Sequence, residues 1–315
     1  MSEHLLSIDN IAENFRSILE WAIRFKHDDE TNEGFKPLDE MSIGCIYEKP
    51  STRTRVSFEV GINKLGGQAL TLLKGDIQLG KSETIADTGA VLCRYLDGIT
   101  YRCFGHDMVE QLASSSSVPV INALSDKHHP CQAAADLMTI MERNPSLDGE
   151  LVAWVGDGNN VLHDLMLACA ILGVDCTWAT PAGYEPASDV VERAQKLAAD
   201  SGANLRGTND PIDAVTGATV IYTDVFVSMG EEHLEDKTSD FDGFQVNEAL
   251  VAHAADDYAF MHCLPAHRGD EVTDAVMDSD NSVVFDQAEN RMWAQMSLLT
   301  WFCNPMAWQT YEDLF

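Results

Sequence analysis

The 315-residue chain has few basic side chains: 20 Lys and Arg stand against 51 Asp and Glu, giving a formal charge of −31 at pH 7. So acidic a surface repels phosphate backbones and anionic lipids, which excludes nucleic acid and membrane surfaces as partners. The acidic residues are spread along the whole chain rather than collected in a tail. This pattern is typical of adaptation to a salty cytoplasm, although solubility alone explains it as well.

The chain also lacks the features of secreted and membrane proteins. Its eight cysteines form no CxxC pair and no framework spacing, so we expect reduced thiols in a cytoplasmic protein. The first twenty residues contain no signal-peptide core. The longest apolar run, residues 165–174, is about half of the ~20 residues that a membrane span needs. We therefore expect a soluble protein.

Residues 49–55, with the sequence KPSTRTR, stand between a predicted strand (43–47) and a predicted helix. Pro50 favours an extended backbone before it, and Ser51 or Thr52 can cap the helix. A helix N-terminus carries free N–H groups, and here hydroxyls and guanidiniums surround it. We call residues 49–55 the phosphate segment. Taken alone, it is as compatible with a solvated, capped helix as with a phosphate site.

Strands and helices alternate along the chain, which predicts an α/β fold with parallel sheets. The pattern breaks at 144–149 (NPSLDG) and then restarts, so we predict two doubly wound domains linked by long helices. A last strand is predicted at 282–285. The apolar segment 290–308 is predicted to be a helix that packs back on the first helix of the chain.

The turn at 156–160 (GDGNN) lies where a dinucleotide fingerprint would lie, but its third glycine is replaced by Val161. We therefore expect no nucleotide cofactor. The turn follows a strand, which is a usual position for a ligand, and the adjacent side chains of Asn159 and Asn160 offer neutral donors and acceptors suited to an amino acid backbone.

Three further positions have both a structural and a functional interpretation. His129 and Gln132 lie one turn apart at a predicted helix start, where a His is either a cap or a donor to an oxyanion. Asp224 ends a strand, where it either caps a loop or receives an ammonium group. Arg291 opens the C-terminal helix as an anion contact or an ordinary surface residue.

The segment 262–269 (HCLPAHRG) places two His and a Cys close together, but without the spacing of a metal site. We therefore expect no metal. Cys263 remains either a reactive thiol or a buried structural residue, because no dedicated His–Asp pair accompanies it.

Together and in this order, these motifs resemble the aspartate/ornithine carbamoyltransferase family over essentially the whole chain. The resemblance rests on STRTR at 51–55, HPCQ at 129–132, DGNN at 157–160, SMG at 228–230, HCLP at 262–265 and QAENR at 287–291. The first two mark users of carbamoyl phosphate, while SMG and HCLP point to ornithine.

The resemblance implies a carbamoyl phosphate domain at 1–147, completed by a helix at about 290–315, and an ornithine domain at 148–289. It implies a homotrimer, or a multiple of trimers, that needs no cofactor or metal. The residues implied to contact carbamoyl phosphate are Ser51, Thr52, Arg53, Thr54, Gln78, Arg102, His129, Gln132, Cys263, Leu264 and Arg291. Those implied to hold ornithine are Asn160, Asp224, Ser228 and Met229.

The implied activity is carbamoyl transfer to the side-chain amine of ornithine, which gives citrulline and phosphate. Arg53 would hold the phosphate and Gln78 would reach a neighbouring subunit. Asp224 and Cys263 would deprotonate the amine, while His129, Arg102 and Thr54 would stabilise the oxyanion. Rival hypotheses are a carbamoyltransferase for another amine, such as putrescine, and a non-catalytic trimer that binds phosphate compounds. The reaction is reversible, so either direction of arginine metabolism fits the residues.

Overall fold

The computed structural model describes residues 4–27, 34–79, 82–227 and 237–312. The chain divides into two compact units. Unit 1 consists of Met1–Met138 together with Glu289–Phe315, and unit 2 consists of Thr139–Ala288. No helix among the described residues combines the length and the apolar character that crossing a membrane requires.

The described part of unit 1 contains a parallel sheet of strands β1 (Ser42–Tyr47), β2 (Gln68–Leu73), β3 (Gly98–Arg102) and β4 (Val120–Leu124). Their spatial order is β2-β1-β3-β4, so β2 is an edge strand. Helix α1 (Phe15–His27) precedes these strands, and four helices connect or follow them: α2 (Thr52–Lys64), α3 (Ile85–Leu92), α4 (His106–Ser115) and α5 (Pro130–Arg143). Buried Ile46, Ile99 and Tyr101 from the sheet pack with Val109 and Leu112 of α4.

Local sequence sets where these helices begin. Ser51 has an extended backbone and its Oγ accepts the N–H of Thr54, so it is the N-cap of α2. Pro130 is the first residue of α5, a position that has no hydrogen-bond partner to lose. The apolar spacing from Ile8 to Phe25 predicts one helix, but the structure divides this stretch. A 3₁₀ segment, Ile8–Asn14, precedes α1 and is kinked at Ile11.

The described part of unit 2 contains a parallel sheet of β5 (Leu151–Val155), β6 (Asp175–Ala179), β7 (Leu205–Thr208), β8 (Val220–Thr223) and β9 (Ala259–His262). Their order is β7-β6-β5-β8-β9, a doubly wound arrangement. The helices are α6 (Asn160–Leu172), α7 (Ser188–Ser201), α8 (Pro211–Val215), α9 (Glu248–Val251) and α10 (Asp274–Met277), with a 3₁₀ turn at Lys237–Phe241. The predicted α/β architecture with parallel sheets is thus confirmed.

The C-terminal part corrects two predictions. The strand predicted at 282–285 is wrong: Ser282 makes only an isolated bridge to Phe260, and helix α11 (Val284–Cys303) begins two residues later. The predicted helix at 290–308 is two helices, because Pro305 interrupts the hydrogen-bond ladder and opens α12 (Pro305–Glu312). Asn304 caps α12 by accepting the N–H of Ala307.

Helix α11 packs back on the first helix of the chain, as predicted. The hydroxyl of Ser297 donates to the backbone oxygen of Ile18 at 2.7 Å. The ring of Trp308, on α12, stacks on Trp21 with the centroids 4.5 Å apart. Both α5 and α11 carry residues of both units, so these two helices link them.

Candidate active site

The phosphate segment leads directly from β1 into α2, at the carboxyl edge of the first sheet. Ser51 is half-buried, Thr52 is exposed and Arg53 is half-buried, while Thr54 is buried beneath them. The helix therefore presents free N–H groups and the positive end of its dipole on the accessible side. This geometry is suited to an anion.

Two buried guanidiniums converge on the hydroxyl of Thr54. Arg291, from α11, places Nη2 at 3.0 Å from Thr54 Oγ1. Arg102, the last residue of β3, places Nη1 at 3.4 Å from the same oxygen. Two like charges gathered at one buried hydroxyl repel each other, and an anionic ligand relieves that repulsion. This pair of guanidiniums is the strongest indication of an anion site in unit 1.

His129 lies immediately before α5 and is buried. Burial lowers its pKa well below the ordinary value of 6.5, and the positive charges of Arg291 and Arg102 lower it further. The imidazole is therefore neutral at pH 7, so it can donate one N–H without adding a third positive charge. A neutral donor of this kind suits an oxygen on which negative charge develops.

The side-chain amide of Gln132 is oriented by two buried neighbours. Its Oε1 accepts from Arg291 Nη1 at 2.6 Å, and its Nε2 donates to Asp136 Oδ1 at 2.8 Å. Arg only donates and an ionised Asp only accepts, so the amide has one favourable orientation. The sequence reasoning missed Asp136, although its position four residues after Gln132 on the same predicted helix was the available signal.

Gln78 does not join this cluster. It lies on an exposed loop after β2, where its Oε1 accepts from the hydroxyl of Ser82 at 3.0 Å. Of the residues implied for carbamoyl phosphate, unit 1 brings together Thr54, Arg102, His129, Gln132 and Arg291, with the half-buried and exposed residues of the phosphate segment beside Thr54.

In unit 2, Asp224 and Cys263 follow the neighbouring strands β8 and β9, so both lie at the carboxyl edge of the second sheet. The thiol of Cys263 donates to Asp224 Oδ1 at 2.9 Å. Asp224 is buried and Cys263 is partly exposed. A carboxylate with a thiol beside it, at a ligand-accessible strand end, can bind a cationic amine and accept its proton.

The second oxygen of Asp224 accepts from Asn159 Nδ2 at 2.9 Å. Asn159 also caps α6, because its Oδ1 accepts the N–H groups of Val161 and Leu162. The sequence offered both Asn159 and Asn160 as polar groups for a ligand but assigned ornithine to Asn160 alone, and it did not predict the contact of Asn159 with Asp224. Asn160 itself is half-buried as the first residue of α6.

Asp157, on the turn at 156–160 that also contains Asn159, forms a buried ion pair. Lys237 Nζ is 2.8 Å from Asp157 Oδ2, and the two side chains are 6% and 12% exposed. Ser228 and Met229, which were predicted to hold ornithine, lie outside the described residues, which resume at Lys237. Nothing in the sequence linked Lys237 to Asp157.

Asp224, His262 and Cys263 each place one ligand-type atom within 4.8 Å of the others. Both ring nitrogens of His262 are already engaged, Nδ1 with the N–H of Leu264 and Nε2 with Glu271. A metal ion would have to displace one of these contacts, so this trio does not fit a metal site.

Comparison with known protein families gives a separate match for each of the two parts of the chain. Residues 3–142 match the family model described as aspartate/ornithine carbamoyltransferase, carbamoyl-P binding domain, and residues 148–302 match the Asp/Orn binding domain of the same family. The chain is 53% identical over 292 residues to an anabolic ornithine carbamoyltransferase of Pyrococcus furiosus, covering 92% of this chain and 93% of the relative. It is 48% identical over 296 residues to a catabolic ornithine carbamoyltransferase of Thermoplasma acidophilum, covering 94% of this chain and 96% of the relative.

Solved structures give the same result. Ornithine carbamoyltransferase from Pyrococcus furiosus superposes with a TM-score of 0.91 at 52% identity, covering 94% of this chain and 95% of that one. The anabolic ornithine carbamoyltransferase of Campylobacter jejuni superposes with a TM-score of 0.90 at 36% identity, covering 96% of this chain and 99% of that one.

Proposed function

The chain belongs to the aspartate/ornithine carbamoyltransferase family, and from that premise we propose that it transfers the carbamoyl group of carbamoyl phosphate to the side-chain amine of L-ornithine. The products are L-citrulline and phosphate. The observation that carries the proposal is the convergence of buried Arg102 and Arg291 on Thr54, beside a neutral His129.

Unit 1 supplies the groups for carbamoyl phosphate. Ser51, Thr52, Arg53 and the N-terminus of α2 hold the phosphate, and His129 donates to the carbonyl oxygen. Arg102, Thr54 and Arg291 stabilise the negative charge that develops on that oxygen. Gln132, oriented by Asp136, accepts from the carbamoyl amino group once substrate displaces the guanidinium of Arg291 from its oxygen. We propose that this domain extends over 1–147 and is completed by 290–315.

Unit 2 supplies the groups for ornithine, in a domain that we propose spans 148–289. The amine has a reference pKa of about 10.4, as in Lys, so it is protonated at pH 7 and cannot attack. Asp224 binds the ammonium, and Asp224 with Cys263 accepts its proton. Asn160, Ser228 and Met229 hold the amino acid end of ornithine, and Leu264 contacts the carbamoyl group.

The chemical step forms one bond and breaks one. The free amine attacks the carbonyl carbon, a C–N bond forms, and the carbonyl oxygen becomes an oxyanion. Collapse of that intermediate breaks the bond to the phosphate oxygen. Phosphate leaves with the electron pair and takes the second proton of the attacking amine. Arg53 and the α2 N–H groups stabilise the departing charge. The step needs no redox change and no bound cofactor.

We propose that the protein works as a homotrimer, or as a multiple of trimers, in the cytoplasm. Exposed Val56 and Val60 on α2, and Leu70 and Leu73 on the edge strand β2, support a subunit contact in unit 1. Gln78 supports it as well, because it lies on an exposed loop after β2, where its side chain accepts from Ser82 and is accessible to a neighbour. The many acidic residues, dispersed over the chain, form a surface suited to a salty cytoplasm.

Steady-state formation of citrulline from carbamoyl phosphate and ornithine tests the proposal. We expect turnover by the parent protein and its loss in Arg53→Ala, which removes a phosphate contact. Putrescine, assayed in parallel, has no α-carboxylate and should be a poor substrate. Equal turnover of putrescine would reassign the substrate. A parent protein that binds carbamoyl phosphate but forms no product would favour a non-catalytic binding protein.

A further inference from the structure

Cys263 lies in a turn that is held by a buried side chain with no role in the chemistry described above. We infer that Glu271 is a positioning residue for ornithine, acting on Cys263 through the imidazole of His262. This inference rests on the proposed function of unit 2. Each contact that it uses lies within that unit.

Glu271 and His262 form a fully buried pair. Both side chains are 0% exposed, and Glu271 Oε1 lies 3.0 Å from His262 Nε2. The same oxygen accepts the backbone N–H of His267 at 2.6 Å. Burying a carboxylate is unfavourable unless hydrogen bonds compensate, and an apolar side chain of the same size packs a core at lower cost. The acid at this position therefore has a local task.

That task is to fix the tautomer of the His262 ring, that is, which of its two nitrogens carries the proton. The backbone N–H of Leu264 lies 2.9 Å from His262 Nδ1. A backbone N–H only donates, so Nδ1 accepts and the ring proton is on Nε2. Glu271 accepts a hydrogen bond from the Nε2–H group of His262. It thereby favours the tautomer in which Nδ1 carries no proton and can accept from the N–H of Leu264.

The segment that His262 holds is the one that orients Cys263. Leu264 has a φ of 59°, in the left-handed region that is unfavourable for a side chain with a Cβ. Cys263 lies between His262 and Leu264 in the chain, and its thiol points to Asp224. The hydrogen bond from Leu264 to the ring stabilises the strained backbone, and with it the direction of the thiol. Glu271 thus acts on Cys263 through its own hydrogen bond to the His262 ring and through the hydrogen bond between that ring and Leu264.

The main chain at His262 has a separate anchor. Its N–H donates to Gln287 Oε1 at 2.9 Å, and Gln287 Nε2 donates to the hydroxyl of Tyr222 at 2.9 Å. A change at Glu271 therefore releases the ring while β9 keeps its end in place. This separation makes the inference testable without unfolding the protein.

The test compares Glu271→Met with Glu271→Gln in the full-length protein. The two replacements have similar length, but only Gln keeps a side-chain oxygen that accepts from Nε2. We expect Glu271→Met to lower kcat/KM for ornithine by about 10²-fold, as for a misplaced catalytic group, with a raised KM for ornithine and an unchanged KM for carbamoyl phosphate. Glu271→Gln should keep most of the parent activity. A purely structural role would lower the active fraction, and hence kcat alone, in the Met variant.

A second measurement does not depend on activity. ¹⁵N-labelled imidazole signals of His262, assigned by their loss in His262→Gln, should show a proton on Nε2 in the parent and in Glu271→Gln. They should show mixed tautomers in Glu271→Met. An active parent whose Met variant keeps the parent ornithine kinetics and the single tautomer would overturn this inference alone. A parent with no citrulline formation would overturn the proposed function and this inference with it.

Discussion

Arg291 donates to the hydroxyl of Thr54 at 3.0 Å across 237 positions of sequence. This contact brings the QAENR motif, near the end of the chain, to the phosphate segment near its beginning. It also explains why unit 1 contains two separate stretches of the chain, since Glu289–Phe315 returns to Met1–Met138. Arg291 then meets Gln132 as well, so one guanidinium joins α2, α5 and α11.

Replacing Arg291 should therefore damage the handling of carbamoyl phosphate. We expect Arg291→Gln to lower kcat/KM for carbamoyl phosphate by about 10²–10³-fold, the usual cost of removing one donor to a developing oxyanion. Initial-rate kinetics with varied carbamoyl phosphate give this value. The matched control is Arg206→Gln, because Arg206 is exposed and paired only with surface Asp213 in its described side-chain contacts. A loss of equal size in both variants would contradict a specific role for Arg291.

The contact of Cys263 with Asp224 predicts a different kinetic effect. Cys263→Ala removes the thiol 2.9 Å from the carboxylate, so we expect kcat/KM for ornithine to fall by about 10²-fold or more, within the range for general acid–base groups. The KM for carbamoyl phosphate should change little, since its charged contacts lie on other residues. Kinetics with each substrate varied in turn separate the two effects.

Cys93→Ala is the control for Cys263→Ala. Hydrogen bonding to Ser117 lowers the pKa of the Cys93 thiol, so we expect alkylating reagents to modify Cys93 too. No substrate contact is proposed for it. Saturating ornithine should protect Cys263 from alkylation and leave Cys93 exposed to it. Equal protection of both thiols, or full activity of Cys263→Ala, would contradict the proposed role.

Several elements of the fold could be predicted because local sequence determines them. The strand before Ser51, the cap at Ser51 and the helix after it follow from a short apolar run, a proline and a hydroxyl at known spacings. The neighbouring positions of Asp224 and Cys263 follow from parallel strands that end at one edge. In each case the signal and the structure lie within a few residues of each other.

Other features depended on contacts that sequence spacing does not encode. The stretch at 282–285 is β-prone, yet Val284 begins α11 because packing of that helix overrides local preference. Glu271 is an ordinary acid in a chain rich in acids, and only the fold buries it against His262. Lys237 meets Asp157 across 80 positions for the same reason. The partners that orient site residues were therefore harder to predict than the site residues.

The low pKa of His129 predicts how stability depends on pH. In the folded state His129 stays neutral well below pH 6.5, whereas in the unfolded chain it binds a proton near its ordinary value of 6.5. Below pH 6.5 the unfolded state therefore binds more protons, so this residue makes stability fall as pH falls, by up to about 1.4 kcal/mol per pH unit. Above pH 6.5 His129 has no effect on how the free energy of unfolding changes with pH.

His129→Gln isolates this contribution, because the other titrating groups are the same in both proteins. We expect the free energy of unfolding of the parent, relative to the variant, to decrease between pH 6.5 and 5.5 and to stay level between pH 7 and 8. Denaturant unfolding at each pH measures it. Parallel curves over the whole range would contradict a depressed pKa for His129.

The charge of −31 leads to a prediction about salt. At low ionic strength the dispersed carboxylates repel one another over distances of about 10 Å or more, and this repulsion opposes the compact state. Molar KCl reduces the screening length to about 3 Å, so the thermal midpoint should rise from low to molar KCl. Sucrose at matched osmolality is the control, because it favours burial by exclusion but does not screen charge. A midpoint that is flat in KCl, or that rises equally in sucrose, would remove salt adaptation as the reason for the acidic surface.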